Sequence, residues 1–369
     1  MKLRPLDFGG VLERAIALYA SNFVRFIGIV AVTVVPVAVV QYFVLLREQP
    51  LLDATLDILQ HPERLRTQHV PTLFDSPAIL AVVIASALFG YYMLGFALGA
   101  VAAGVERLYG GDPVSFRACY EAVLRRWPSI VAVVGTAVLA LVAAYVGAVL
   151  IVAIPVFAVV AVASSWFSSI VMLAVSAMVL AILFALLLIG VTSACALCAV
   201  VVEDCAATWS LRLTFARILN RREFGRALLC AFAVGAIGLV TSTLVDTAAF
   251  VGLSRWPAAY VALDALERVA VVPFLALVLA VYYFDVRIRH EGYDLAMALE
   301  RGPEEPVYAP TAYLSGEERA LIKRFLERRD SLTPLRRREI AAQLAAPARK
   351  RVPADLQRLD DEPLLDRLG

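Results

Sequence analysis

Long apolar segments alternate with short polar segments along most of the chain. A helix needs about 20 apolar residues to cross the roughly 30 Å hydrocarbon core of a bilayer. The first apolar runs cover residues 26–46 and 78–105, and the last two cover 227–253 and 263–285. Between them, the run from Ser129 to Val202 is too long for a single span. This pattern predicts an integral membrane protein whose spans are α-helices.

The positions of the basic residues decide how many spans the long run contains. Basic residues form three clusters along the chain. The first, before the first apolar run, contains Lys2, Arg4, Arg14 and Arg25, and the second, after the second run, contains Arg107, Arg117, Arg125 and Arg126. The third, after the long run, contains Arg212, Arg217, Arg221, Arg222 and Arg226. Lys and Arg accumulate in cytoplasmic loops, so an even number of crossings must separate neighbouring clusters. The long run is therefore predicted to form two helices, 129–163 and 167–202. Their turn is placed at Ser164–Ser169, where Trp166 suits the membrane interface. An all-α protein with about six transmembrane helices follows, with both termini in the cytoplasm.

A short amphipathic segment precedes the first, third and fifth spans, starting near residues 6, 113 and 206. Apolar side chains recur every three or four residues in each segment, which is typical of amphipathic helices. Asp7 is a candidate cap for the first helix, and Asp112-Pro113 for the second. Because their polar faces are basic, these helices are expected to lie flat in the cytoplasmic interface. The membrane domain is then three units of interfacial helix plus transmembrane hairpin. The alternative is that they are positively charged loops that happen to be helical.

Composition and charge separate a membrane domain from a soluble tail. The 369-residue chain is 61% hydrophobic and 18% charged, whereas soluble domains are about 45–50% apolar and about 25% charged. No charged residue lies between Arg126 and Glu203, but charges are frequent near the C-terminus. We predict a membrane domain at 1–297, a proline-containing linker at 298–314 and a charged cytosolic tail at 315–369 with two short helices.

Basic residues outnumber acidic ones in the middle of this tail. Each basic residue close to an anionic membrane surface gains about 1 kcal/mol, so the tail can bind anionic lipid headgroups; a solvated helix face is the alternative. Nucleic acid is not expected, because interleaved aromatic residues are lacking. The candidate anionic-lipid contacts are Arg125, Arg126, Arg221, Arg222, Arg336, Arg337 and Arg338.

Ionisable residues inside a membrane are costly and are therefore candidates for function. Asp246 lies in the fifth span among Ser and Thr residues, and Arg268 at the end of the sixth can pair with it. Together they form either a polar or proton-linked site or a structural ion pair. Cys195-x-x-Cys198 has apolar neighbours, and His61 and His69 lack a ligand pattern. No catalytic residue, metal site or cofactor is predicted, and no phosphate-binding loop or nucleophile elbow is found.

Motifs near both ends of the predicted membrane domain resemble a known family. They are Arg4-Pro5-Leu6-Asp7-Phe8-Gly9-Gly10-Val11-Leu12-Glu13-Arg14-Ala15, and Tyr282-Tyr283-Phe284-Asp285-Val286-Arg287-Ile288-Arg289 followed by Glu291-Gly292-Tyr293-Asp294-Leu295. They are similar to bacterial multipass proteins grouped with the membrane domain of glycerophosphoryl diester phosphodiesterases, over about residues 1–297. The resemblance implies a bacterial cytoplasmic (inner) membrane protein. In the full-length enzymes, a separate barrel domain with His, Glu and a divalent metal carries out hydrolysis. With three His and a tail too short for a barrel, this chain is expected to lack the hydrolase.

The sequence favours a non-enzymatic multipass membrane module that organises the membrane or scaffolds a cytosolic protein through 298–369. The alternative is a small transporter or lipid-handling protein with a polar site near Asp246.

Overall fold

The computed structural model describes residues 5–60, 76–161, 165–218, 220–253, 256–300, 314, 316–351, 357 and 359–368. These residues form helices joined by short non-helical segments, with no β-strand among them. In chain order the helices are α1 (Phe8–Ser21), α2 (Phe23–Gln60), α3 (Pro77–Gly110), α4 (Phe116–Arg125), α5 (Trp127–Ala161), α6 (Ser165–Val202), α7 (Ala207–Ile218), α8 (Arg221–Leu253), α9 (Pro257–Glu291), α10 (Tyr293–Glu300), α11 (Gly316–Arg328), α12 (Pro334–Arg349) and α13 (Asp361–Leu368).

Six of these helices are long and apolar enough to cross a membrane. The spans are Phe23–Pro50, Pro77–Gly110, Trp127–Val149, Met178–Val202, Glu223–Ala248 and Pro257–Glu291. The prediction of an all-α multipass membrane protein with about six spans is thus confirmed. The helices extend beyond the apolar runs, because a helix can continue into the interface as long as its backbone hydrogen bonds are made.

Three short helices alternate with pairs of long ones along the chain. Helices α1, α4 and α7 have 14, 10 and 12 residues, and each precedes two long helices. The Asp7 cap is confirmed, since Asp7 Oδ1 accepts a hydrogen bond from the N–H of Gly10 at 3.0 Å. Two local predictions are wrong. Helix α4 is preceded by Ser115, not by Asp112-Pro113. Residues 165–169, predicted as a turn, lie in the first turns of α6.

The chain divides into two compact units, which are described separately. The larger unit comprises Leu12–Leu108 and Pro113–Ala280; the smaller comprises Met1–Val11, Tyr109–Asp112 and Val281–Gly369. The smaller unit therefore includes the end of α9 and the N-terminal segment, whereas the sequence placed the division at residue 298.

Glycines on α3 allow close packing inside the larger unit. A Cβ atom on Gly95 would lie 2.5 Å from Val134 Cγ2 on α5, and one on Gly99 would lie 3.1 Å from Val201 Cγ2 on α6. Membrane helices without large side chains at a crossing approach closely and gain van der Waals contact. Elsewhere in this unit, large apolar side chains such as Leu139 and Leu244 are exposed, as required of a surface that faces lipid.

The smaller unit has an apolar core of its own, formed by residues of α10, α11, α12 and α13 and the segments joining them. Its buried members are Leu295, Leu314, Ile322, Phe325, Leu332, Ile340, Ala341, Leu344, Ala345, Ala348, Leu364 and Leu365. The predicted tail helices correspond to α11 and α12, but the sequence interpretation missed α13, which supplies Leu364 and Leu365.

Candidate functional site

Polar side chains line one face of the sixth span in the larger unit. Tyr260, Asp264 and Arg268 occur at four-residue intervals on α9, and such residues lie on the same side of a helix. Arg268 Nε donates to Asp264 Oδ1 at 3.0 Å, and the side chain of Asp264 is only 14% exposed. The guanidinium is thus placed to stabilise a carboxylate that is largely removed from solvent.

Two further spans contribute to this cluster. With its amide oxygen turned toward Arg268, Gln41 of α2 accepts from that guanidinium at 3.2 Å and donates to Asp264 Oδ2 at 3.2 Å. Asp246 of α8 accepts a hydrogen bond from the hydroxyl of Tyr260 at 3.2 Å. We call Gln41, Asp246, Tyr260, Asp264 and Arg268 the intramembrane polar cluster.

The cluster contains both predicted site residues, Asp246 and Arg268, but hydrogen-bonds them to different partners. Arg268 binds Asp264 one turn earlier on its own helix, whereas Asp246 receives its hydrogen bond from a neutral phenol. The cluster therefore contains two carboxylates and one guanidinium, and the guanidinium binds Asp264. Asp246 is exposed at the surface of the larger unit, whereas the side chain of Asp264 is only 14% exposed.

A second polar arrangement, in the smaller unit, joins the N-terminal segment to the end of α9. Asp285 Oδ1 accepts a hydrogen bond from the N–H of Leu6 at 2.7 Å, across 279 residues of sequence. Arg289 Nε donates to Asp285 Oδ2 at 3.0 Å, and the same guanidinium donates to the carbonyl of Leu6. One Asp–Arg pair thus holds both backbone groups of Leu6. We call these three residues the N-terminal clasp.

The segment after the clasp is fixed to the tail by charged contacts. Arg287 lies 4.3 Å from the ring centroid of Tyr293 and donates to Glu291 at 3.1 Å. Arg328, at the end of α11, donates to both carboxylate oxygens of Asp294 at 2.8 and 2.7 Å, and also to the carbonyl of Ile288. The Asp294 side chain is 2% exposed and that of Arg328 15%. The contacts of Arg328 hold the end of α11 against the first turn of α10 and the last turn of α9.

Three of the seven arginines proposed to bind lipid, Arg126, Arg336 and Arg337, form ion pairs with carboxylates of the protein. Arg126 donates to Asp204 Oδ1 at 2.6 Å, and this hydrogen bond lowers the pKa of the Asp204 carboxyl. Arg337 binds Glu362 Oε1 at 2.7 Å, and Arg336 binds Glu339 at 2.8 Å.

The remaining arginines of that group differ in their surroundings. Arg125 and Arg338 are exposed and form no ion pair with another described residue. Side chains of Arg221 and Arg222 lie outside the described residues. Sequence reasoning could not separate these groups, because most of the acidic partners are remote in sequence.

Two further groups of polar candidates were the cysteines of α6 and the histidines His61 and His69. Cys195 and Cys198 are buried free thiols on α6, and His61 and His69 lie outside the described residues. Within the described part of the chain, no group of three or more His, Cys, Asp or Glu side chains is placed to hold a metal ion.

Comparison of the chain with protein-family profiles, curated proteins and solved structures finds no match.

Proposed function

We propose that the chain is a non-enzymatic membrane module that presents its C-terminal helical domain, residues 281–369, as a docking element for a cytosolic protein. The resemblance of the two terminal motifs to the membrane domain of glycerophosphoryl diester phosphodiesterases supports a bacterial inner-membrane location. The alternation of short helices with pairs of long ones supports three units of interfacial helix plus hairpin. The clusters of arginine support cytoplasmic termini.

The buried pair of Arg328 and Asp294 carries this proposal. A tail that served only as a flexible basic lipid contact would need neither an apolar core nor a buried ion pair at its base. Here all four helices from α10 to α13 contribute buried residues to one apolar core. Arg328 binds both carboxylate oxygens of Asp294 and the carbonyl of Ile288. Such a domain presents a fixed surface, which is what a specific partner requires.

Helix α12 supplies the most suitable docking face. Leu335 is 73% exposed, and Arg338 and Ala342 are exposed one and two turns farther along. This face combines an apolar side chain with a cation that forms no ion pair with another described residue. We therefore place the partner contact on Leu335, Arg338 and Ala342.

Crosslinking in cells tests this proposal. A photoreactive amino acid replacing Ala342 in the full chain should form one defined protein adduct, and Leu335→Glu should abolish that adduct. The same amino acid at the lipid-facing Leu139 is the control. Equal adducts at both positions would contradict a specific docking face.

The side of the membrane is tested separately. Single cysteines introduced at Gln60 and Ser315 should react with a membrane-impermeant reagent from opposite sides of the bilayer, with Ser315 reached from the cytoplasm.

A second candidate function is a small transporter or lipid-handling protein that uses the intramembrane polar cluster. The observation that favours it is the hydrogen-bonded network among three spans, because ionisable groups in a membrane often mark a transport pathway. Truncation after Arg301 should abolish the cellular role of a scaffold, whereas Asp246→Asn and Arg268→Gln should leave it intact. A transporter or lipid-handling protein should show the reverse.

A further inference from the structure

The rotation of helix α7 about its axis is fixed by buried polar contacts in the larger unit. Ser210 Oγ donates to the carbonyl of Ala196 on α6 at 2.5 Å. Arg217 donates to both carboxylate oxygens of Glu203 at 2.7 and 3.3 Å, with the two side chains only 8% and 15% exposed. Since both contacts lie on one side of α7, they determine which of its side chains point away from the protein.

Those outward side chains form an aromatic and basic surface. Trp209 is 59% exposed and Phe215 is 46% exposed. Arg212 is exposed midway between them, three residues from each, and no hydrogen bond or ion pair joins it to another described residue. We call Trp209, Arg212 and Phe215 the α7 outer face.

Chain connectivity places this surface next to the ends of two spans. Only residues 203–206 separate α7 from the end of α6. Residues 219 and 220 separate it from the start of α8. Four residues reach at most about 14 Å, so neither end of α7 can lie far from the boundary of the hydrocarbon core.

The side chains of the α7 outer face are of the types that are favoured at the boundary of the hydrocarbon core. Tryptophan concentrates at membrane interfaces, where an apolar ring and a polar group are both accommodated. A guanidinium forms paired hydrogen bonds with phosphate oxygens. Three nearby arginines are engaged elsewhere, with Arg217 bound to Glu203, Arg126 to Asp204 and Arg226 to Glu223.

We propose that the α7 outer face binds an anionic phospholipid, with Arg212 contacting the phosphate of the headgroup and with Trp209 and Phe215 inserted beside its acyl chains. Charge complementarity selects an anionic lipid, and the exposed rings select a membrane lipid over a free phosphate. This surface was absent from the contacts predicted from sequence, which placed the lipid contacts of this loop at Arg221 and Arg222.

Tryptophan quenching by brominated lipids tests the proposal in the full chain. Trp127, Trp166 and Trp256 are replaced by Phe, so that Trp209 is the remaining tryptophan, and the protein is reconstituted into phosphatidylcholine vesicles containing phosphatidylglycerol. Bromine atoms are carried by one lipid or by the other at the same mole fraction. We expect about a fivefold enrichment of phosphatidylglycerol at Trp209, which corresponds to about 1 kcal/mol for one basic residue at the surface.

Substitutions at Arg212 separate specific binding from a general effect of charge. Arg212→Gln should bring the enrichment close to one, whereas Arg212→Lys should keep most of it. Arg319→Gln, which removes an exposed arginine of α11, is the matched control and should keep all of it.

Absence of quenching by either lipid would overturn the proposal, because Trp209 would then face water or a protein. An enrichment that persists in Arg212→Gln would overturn it as well. If the triple Phe variant does not fold, the chain with all its tryptophans is heated in mixed micelles with and without phosphatidylglycerol. The gain in melting temperature should then disappear in Arg212→Gln, and a gain equal to that of the unsubstituted chain would refute the assignment.

Discussion

Arg328→Met tests whether the buried ion pair stabilises the C-terminal helical domain. Methionine keeps an unbranched apolar stem at this position but lacks the cation that binds Asp294 and the carbonyl of Ile288. Asp294, 2% exposed, is then left as a buried carboxylate without its counter-ion.

The size of the effect follows from this burial. Removing one partner of a buried ion pair costs about 3–5 kcal/mol. Because the Arg328 side chain is 15% exposed, water can partly reach the vacated position, and the lower value of about 3 kcal/mol is expected. At about 1.4 kcal/mol for each factor of ten, the locally unfolded population should rise by roughly two orders of magnitude.

Hydrogen exchange measured on the full chain in lipid nanodiscs provides the assay. Amides of α12, whose Ile340 and Leu344 are buried in the domain core, should lose about a hundredfold in protection. The control Arg319→Met, at an exposed position of α11, should leave them unchanged.

The double variant Arg328→Met with Asp294→Leu should recover most of the protection, because removing both partners of a buried pair is often nearly neutral. Protection in Arg328→Met that stays within about twofold of the unsubstituted chain would refute the reasoning. So would a double variant as unprotected as the single one.

Three further predictions concern acid stability, helix packing and the N-terminal clasp. Arg337 lowers the pKa of Glu362 below its usual 4.5 by hydrogen bonding, so the pair stabilises the domain above that pH. This contribution to stability is lost as the pH falls through the lowered pKa. Between about pH 6 and about pH 3, the melting temperature should therefore fall less in Glu362→Gln than in the unsubstituted chain. Gly95→Leu should destabilise the larger unit by about 1–3 kcal/mol through overpacking, since even a Cβ would lie 2.5 Å from Val134 Cγ2. Thermal denaturation in detergent measures this, and Gly147→Ala is the control because nothing lies within 4 Å of its added Cβ. Asp285→Asn should weaken the clasp and accelerate proteolysis within residues 5–11, and an unchanged cleavage rate would count against it.

The number of spans and the short helices before them were predictable because they depend on local periodicity and on runs of uncharged residues. The turn was misplaced because the Ser-rich stretch at 165–169 suggested an interface, whereas serine is tolerated in the first turns of a membrane helix. Helix α13 left a usable signal that was overlooked. Asp361 and Glu362 lie in its first turn and the apolar pair Leu364-Leu365 follows, an arrangement that favours a helix start.

The charged contacts were harder to infer. Asp264 lies four residues before Arg268, so their pairing was available from helical spacing alone, yet the sequence interpretation chose Asp246. Contacts such as Arg126 with Asp204, separated by 78 residues, depend on tertiary packing, which no local pattern records. The same limit applies to Arg337 and Glu362, which are 25 residues apart in the sequence.

The N-terminal clasp has a consequence for the order of events during synthesis. Ribosomes add about 5–20 residues per second, so the 279 residues between Leu6 and Asp285 take roughly 15 to 55 seconds to translate. Throughout that interval the peptide group of Leu6 must be hydrated or bound by other groups. Five spans are synthesised before its partners Asp285 and Arg289. A chain released before α9 is finished can never close the clasp. Closure therefore requires synthesis through Arg289, and in a chain interrupted earlier the peptide group of Leu6 lacks these partners.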